Sequence, residues 1–128
     1  SEVTLATWEF IELLLIKTDS TETPIKYLCV GNQQKAVIAK WLEINSRIIV
    51  MSEPTAGIDV AAKSEVNRFI REIASEGRGI LYTSSYIAEL MDVADRIIVF
   101  YKGQIFREFQ REEFDNNRIY LAMNGLEP

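Results

Sequence analysis

Three short runs rich in β-branched and aromatic residues, Arg47–Met51 (RIIVM), Gly79–Thr83 (GILYT) and Arg96–Tyr101 (RIIVFY), are separated by stretches with the apolar spacing of helices. Continuous apolar runs suit strands covered on both faces, and helices alternating with them predict an α/β domain with a mainly parallel sheet. After Lys102-Gly103 the segment Gln104–Phe109 (QIFREF) alternates instead, which predicts an exposed antiparallel edge strand in a hairpin. The expected architecture is a three-layer α/β fold of about four strands, mainly parallel, ending in an antiparallel edge hairpin. At 128 residues the chain has the length of one domain, and residues 1–128 are expected to form one. Its helical part is placed over 5–44 and its sheet with flanking helices over 45–128.

The helices can be placed from periodicity and end signals. Residues 5–16 (LATWEFIELLLI) predict a first helix with Thr7 as N-cap, apolar on nearly every side and therefore packed on more than one. Lys17–Pro24 (KTDSTETP) has loop composition. A second helix is expected from Asn32 to Glu43, burying Val37, Ile38, Trp41 and Leu42. A third runs from Val60 to Ser75 with Val66, Phe69, Ile70 and Ile73 inward, Asp59 as its cap and Gly77 as its stop. Ser84 or Ser85 can cap a short helix through Met91, and Asp115 caps a last helix over Asn116–Met123. Arg111–Glu113 reads as a solvated connection, and Cys29 as a small apolar filler.

Composition removes several chemistries. The chain has no histidine, which excludes a His-based triad, an imidazole general base and the commonest zinc sites. A single cysteine excludes an internal disulfide and suits a reducing, cytoplasmic setting. A net charge of −5 argues against nucleic acid as a partner. No stretch reaches the ~18–20 apolar residues of a membrane span, and the first residues lack the basic region of a signal peptide.

Two segments carry recognisable chemistry. Leu28–Leu42 reads LCVGNQQKAVIAKWL, and Ile48–Asp59 reads IIVMSEPTAGID. Together they resemble the C-terminal half of an ABC-transporter ATPase domain, in particular the second ATPase domain of monosaccharide importers. The resemblance runs from about Lys17 to about Asn124 and keeps the family's order of signature, Walker B, D-loop, switch strand and hairpin. It implies a P-loop NTPase-like fold, ATP and Mg²⁺ as ligands, a second ATP-binding domain and a membrane permease as partners, and the cytoplasmic face of the inner membrane as location.

Residue by residue, the resemblance assigns roles and exposes departures. The family signature Leu-Ser-Gly-Gly-Asn-Gln-Gln falls on Leu28, Cys29, Val30, Gly31, Asn32, Gln33 and Gln34. There a serine hydroxyl and a glycine N–H grip the γ-phosphate of ATP held by the opposite domain, at a helix N-terminus suited to anions. Cys29 is a poorer donor than serine, and Val30 crowds a close backbone approach. The Walker B carboxylates fall on Ser52 and Glu53. Glu53 keeps the position of the catalytic base, but Ser52 has no charge for a hard cation. The D-loop is Ala56-Gly57-Ile58-Asp59, and Asp59 would face the partner domain. The switch position, often histidine, falls on Ser85, as in the sugar-importer subgroup; Tyr86 then replaces an acid.

The widest departure is that no G-x-x-x-x-G-K-[ST] phosphate loop occurs in the 128 residues. Glu53, Gly31, Asn32, Gln33, Gln34, Asp59 and Ser85 are thus expected as vestigial family positions, with no metal site and no cofactor for this chain. In the family the phosphate-loop strand lies between the switch strand and the strand matching Arg96–Tyr101. Buried unmatched strand edges cost about 1–3 kcal/mol per group. Either a partner chain supplies a strand, or the sheet closes by pairing Gly79–Thr83 with Arg96–Tyr101. The substitutions at Cys29, Val30, Ser52 and Tyr86 and the apolar first helix point toward closure.

Three functions follow: an incomplete importer ATPase domain that is no enzyme as it stands; a stand-alone α/β module, degenerate or redesigned, monomeric or homodimeric; or an ATPase half completed by a phosphate loop from another chain.

Overall fold

The computed structural model describes residues 2–127. In chain order they form α1 (Glu2–Leu13), a 3₁₀ turn (Ile25–Tyr27), α2 (Val30–Glu43), β1 (Ile48–Ser52), α3 (Val60–Ser75), β2 (Gly79–Thr83), α4 (Ile87–Val93), β3 (Arg96–Tyr101), β4 (Gln104–Gln110), a second 3₁₀ turn (Arg111–Glu113) and α5 (Asn116–Met123). The fold is α/β, as expected. Its four strands form two two-stranded sheets, β1 with β2 and β3 with β4. The pairing of Gly79–Thr83 with Arg96–Tyr101 that would close the sheet is not made. The chain divides into two compact units, up to Leu81 and from Tyr82 onward, and the division falls inside β2.

In the first unit, α1 begins earlier than its sequence suggests. Thr7 is not its cap: it lies inside the helix, and its hydroxyl donates to the Val3 carbonyl at 2.7 Å. The helix also stops sooner, because Leu15 takes a left-handed φ of 51°. That conformation lets Leu15 N–H reach Glu12 O and Ile16 N–H reach Ile11 O, a paired closure that usually employs glycine. Leu14 and Ile16, beyond the helix, enter the core while no residue of α1 itself is buried.

Ile38 and Leu42 of α2 are buried, but Val37 and Trp41 are exposed, contrary to the apolar face expected for them. Lys35 takes up part of that face instead. α3 follows its sequence closely, with Val66, Phe69, Ile70 and Ile73 buried and Gly77 at φ 88° just past its end.

The strands of this unit differ from expectation. β1 is covered on one side only: Ile49 and Met51 are buried, whereas Ile48 is 71% and Val50 68% exposed. No residue of β2 is fully buried. A β-branched run fixes strand conformation, but it does not specify whether both faces meet other chain.

In the second unit, β3 and β4 form an antiparallel hairpin from Arg96↔Gln110 to Tyr101↔Gln104. Lys102 and Gly103 make the turn with φ of 49° and 78°, and two positive values match the twist of such tight hairpins. The register slips between Val99 and Phe100, where β4 carries one extra residue. Ile97, Val99 and Phe109 from the hairpin pack on Ile119 and Ala122 of α5 to form this unit's core. Asp115 caps α5, its Oδ1 accepting from Arg118 N–H at 2.8 Å. Arg111–Glu113 is more ordered than a solvated connection: the Glu113 carboxylate accepts from Gln110 N–H, and the Arg111 guanidinium donates to Ala94 O.

Candidate functional site

The residues aligned with the family signature sit on the first turn of α2. Cys29 is its N-cap residue, exposed rather than a core filler, and makes no side-chain capping bond. Gly31 is buried where α2 crosses α3: a Cβ there would lie 3.2 Å from Ala62 Cβ and 3.9 Å from Ile58 Cγ2. A side chain at this position would press on Ala62, so close helix packing favours glycine here. Asn32 is also buried, and its Nδ2 donates to Lys17 O at 3.3 Å. Gln33 Nε2 donates to Leu28 O at 2.8 Å, tying the preceding turn to the helix. Gln34 is half-buried. One amide N–H of Asn32 and one of Gln33 thus help hold the approach to α2.

Glu53 follows β1 with a left-handed φ of 47°. Its carbonyl accepts from Ala56 N–H at 3.0 Å, so residue 53 opens the turn that reverses the chain. Thr55 is almost wholly buried within that turn, and Gly57 completes it at φ 73°. Asp59 then caps α3 as its sequence suggests, Oδ1 accepting from Ala62 N–H at 2.9 Å. Replacing Asp59 by alanine is expected to cost about 1 kcal/mol, and by asparagine only a few tenths. Urea denaturation reads this as a lowered midpoint at unchanged slope; equal midpoints for the alanine variant and the parent would rule the cap out as a stabilising contact.

Ser84 and Ser85 belong to the second unit. Neither is the cap of α4, which starts after Tyr86. Ser84 Oγ instead accepts from Tyr86 N–H at 3.1 Å and donates to the buried carboxylate of Glu89 at 2.9 Å. Ser85, the switch position, is exposed.

One pair escaped the sequence reading. The Lys35 ammonium is buried in an ion pair with Glu65 of α3 and also donates to Leu15 O at 3.4 Å. Its signal was present: Gly31, Lys35, Ile38 and Leu42 recur at helical spacing, and all four are buried.

Ser52 ends β1 as an exposed residue. Its neutral hydroxyl is a weak ligand for a hard divalent cation. Among the described residues, no three of His, Cys, Asp and Glu gather so as to hold a metal ion. The donors at this strand end do not fit Mg²⁺.

No family model matches the chain. Individual proteins do. It is 42% identical over 120 residues to the ribose import ATP-binding protein RbsA of Chelativorans sp. (strain BNC1), covering 94% of this chain and 24% of that protein. It is 46% identical over 114 residues to a putative ribose/galactose/methyl galactoside import ATP-binding protein of Geobacillus kaustophilus (strain HTA426), covering 89% and 23%. The chain therefore spans about a quarter of the length of these relatives. In fold it is similar to MJ1267 in its ADP conformation, an ATP-binding cassette of an ABC transporter, with a TM-score of 0.78 at 22% identity over 97% of this chain and 47% of that one. With identities of this size over nearly its whole length, the chain is homologous to about one quarter of the sequence of these import ATP-binding proteins, and its fold is that of about half of an ATP-binding cassette.

Proposed function

We propose that this chain is the signature-bearing part of a sugar-import ATP-binding domain that neither binds nor hydrolyses ATP by itself. The observation that carries the proposal is the lack of any G-x-x-x-x-G-K-[ST] loop in its 128 residues, since that loop supplies the backbone cradle and lysine for the phosphates. The remaining positions support it. Gly31 is closed against Ala62, and Asn32 and Gln33 are bonded to Lys17 and Leu28 carbonyls. Ser52 offers no charge to Mg²⁺. Glu53 alone keeps a catalytic residue type, and a base without metal or phosphate has nothing to act on.

In this reading the ancestral task is coupling ATP hydrolysis to sugar uptake, beside a second ATP-binding domain and a membrane permease on the cytoplasmic side. Among the described residues no helix is long and apolar enough to cross a membrane. A second reading, an ATPase half completed by another chain's phosphate loop, draws on the retained Asn32-Gln33-Gln34 and Glu53, and Ser52 opposes it.

Titration with Mg-ATP and with a fluorescent analogue, while molar mass is recorded, tests the proposal. The expected result is no binding tighter than about 1 mM, a free energy of roughly −4 kcal/mol, and phosphate release equal to the blank. Submillimolar binding or turnover above blank would overturn it.

A further inference from the structure

Six asparagines occur in the chain, and Asn124 is the one followed by glycine. A backbone nitrogen can attack the side-chain amide of the residue before it, and glycine has no Cβ to hinder that approach. The structure holds this pair in the turn that ends α5. Asn124 is the C-cap residue, with φ −94° and ψ 8°, and Gly125 follows at φ 72°. Gly125 N–H donates to Ala122 O at 2.9 Å, and Leu126 N–H donates to Leu121 O at 3.0 Å. These are the two backbone bonds of a Schellman closure. The Asn124 side chain joins them, its Nδ2 donating to Tyr120 O at 2.8 Å. A Cβ on Gly125 would overlap the Tyr101 ring, so β3 braces the turn from one side.

We infer that Asn124 is a modification site, converted without an enzyme to aspartate and isoaspartate when this turn opens and shielded while it is closed. In the open turn the Gly125 nitrogen gives its proton to solvent base and attacks Asn124 Cγ. The new N–Cγ bond forms, the Cγ–Nδ2 bond breaks, and ammonia leaves with a proton taken from water. Water then opens the five-membered imide at one of its two carbonyls. One product is aspartate; the other is isoaspartate, in which the chain runs through the side-chain carbon.

Each feature of the closed turn opposes the attack. The nucleophile is engaged with Ala122 O and the leaving group with Tyr120 O. Ring closure also requires a large rotation about ψ of Asn124, which both bonds resist. Local opening of a helix end takes less free energy than unfolding the whole unit, so conversion records openings of this turn.

The product cannot rebuild the turn. A carboxylate lacks the N–H that met Tyr120 O, and it places negative charge at the unfavourable end of the helix dipole. Isoaspartate also lengthens the backbone by one carbon, which moves the Gly125 and Leu126 N–H groups out of register with Ala122 and Leu121. Ala122 is 0% exposed in the core beneath the hairpin, so the damage reaches beyond the last turn. None of this depends on how the chain treats nucleotide.

To test it, the full chain is aged in warm, mildly alkaline buffer, folded and in guanidinium chloride, and peptides bearing Asn124 and Asn45 are followed by mass spectrometry. Asn45 precedes Ser46, whose side chain hinders the same attack. In denaturant Asn124 is expected to convert several times faster than Asn45. In the folded chain it is expected to convert at least about tenfold more slowly than in denaturant, an opening free energy of ~1.4 kcal/mol or more. Tyr101→Ser removes the brace and should speed both conversion and amide exchange at Gly125 in the folded chain. If that variant does not fold, the parent in denaturant below its unfolding midpoint should show the same joint acceleration. The isoaspartate form, separated by chromatography, should melt below the parent. Three outcomes would overturn the inference: conversion at Asn124 no faster than at Asn45 in denaturant, equal rates in the folded and denatured chain, or an isoaspartate form that melts like the parent.

Discussion

Replacing Phe109 by alanine is expected to destabilise the unit from Tyr82 onward by about 3–5 kcal/mol, the range for truncating a buried aromatic. Phe109 is 0% exposed, pairs across the hairpin with Ile97, and lies in one cluster with Val99, Ile119 and Ala122. The guanidinium groups of Arg107 and Arg118 lie 5.4 and 5.7 Å from its ring centre, so the aromatic also anchors charges at the edge of the core. A whole domain is stable by only ~5–15 kcal/mol, which makes this loss a large share. Hydrogen exchange should show amides of β3, β4 and α5 losing protection together, because one cluster holds all three. Phe109→Leu keeps most of the volume and should lose much less. An alanine variant with protection equal to the parent would mean that the cluster does not hold the hairpin to α5.

The second large effect concerns the Lys35–Glu65 pair, whose members differ in exposure. The Lys35 side chain is 5% exposed and that of Glu65 43%. Glu65→Gln therefore strands a buried ammonium beside a neutral amide, and is expected to cost about 3 kcal/mol, as when one partner of a buried pair is removed. Lys35→Met has the opposite consequence. It leaves a carboxylate that water already reaches and puts an apolar chain in a buried site, so its cost should stay within about 1 kcal/mol. Urea midpoints for the two variants and the double mutant test this, and the double mutant should recover most of the glutamine loss. Equal losses for the two single variants would contradict the asymmetry.

Where local chemistry alone decides an outcome, the sequence was readable. Asp59 and Asp115 cap α3 and α5, Gly77 follows the end of α3 and Lys102-Gly103 turn the hairpin, because each needs only neighbours within a few residues. The end of α1 was not readable, since Leu15 adopts a conformation usually left to glycine at a cost of about 1–2 kcal/mol. Leu14 and Ile16 offset it by reaching the core. Coverage was the other failure. RIIVM specifies a strand, yet Ile48 and Val50 stand exposed in a chain that spans 47% of the solved cassette it resembles in fold.

The site divides in the same way. The Asn32-Gln33 motif names a family, but the same letters do not say that both side chains bond to Lys17 and Leu28 carbonyls. Lys35 shows the converse. A charge within an apolar stripe is legible as an anomaly, while its resolution by Glu65 depends on how α2 and α3 cross.

The two-residue turn at Lys102-Gly103 has a consequence for chain entropy. Every strand pairing of the hairpin, out to Arg96 with Gln110, closes through this one short loop. Closure cost grows with the logarithm of loop length, so each successive pair adds little once the turn has formed. The hairpin can close like a zipper from its tip, on the microsecond scale of isolated hairpins. α5, starting six residues beyond β4, then finds its docking surface already built.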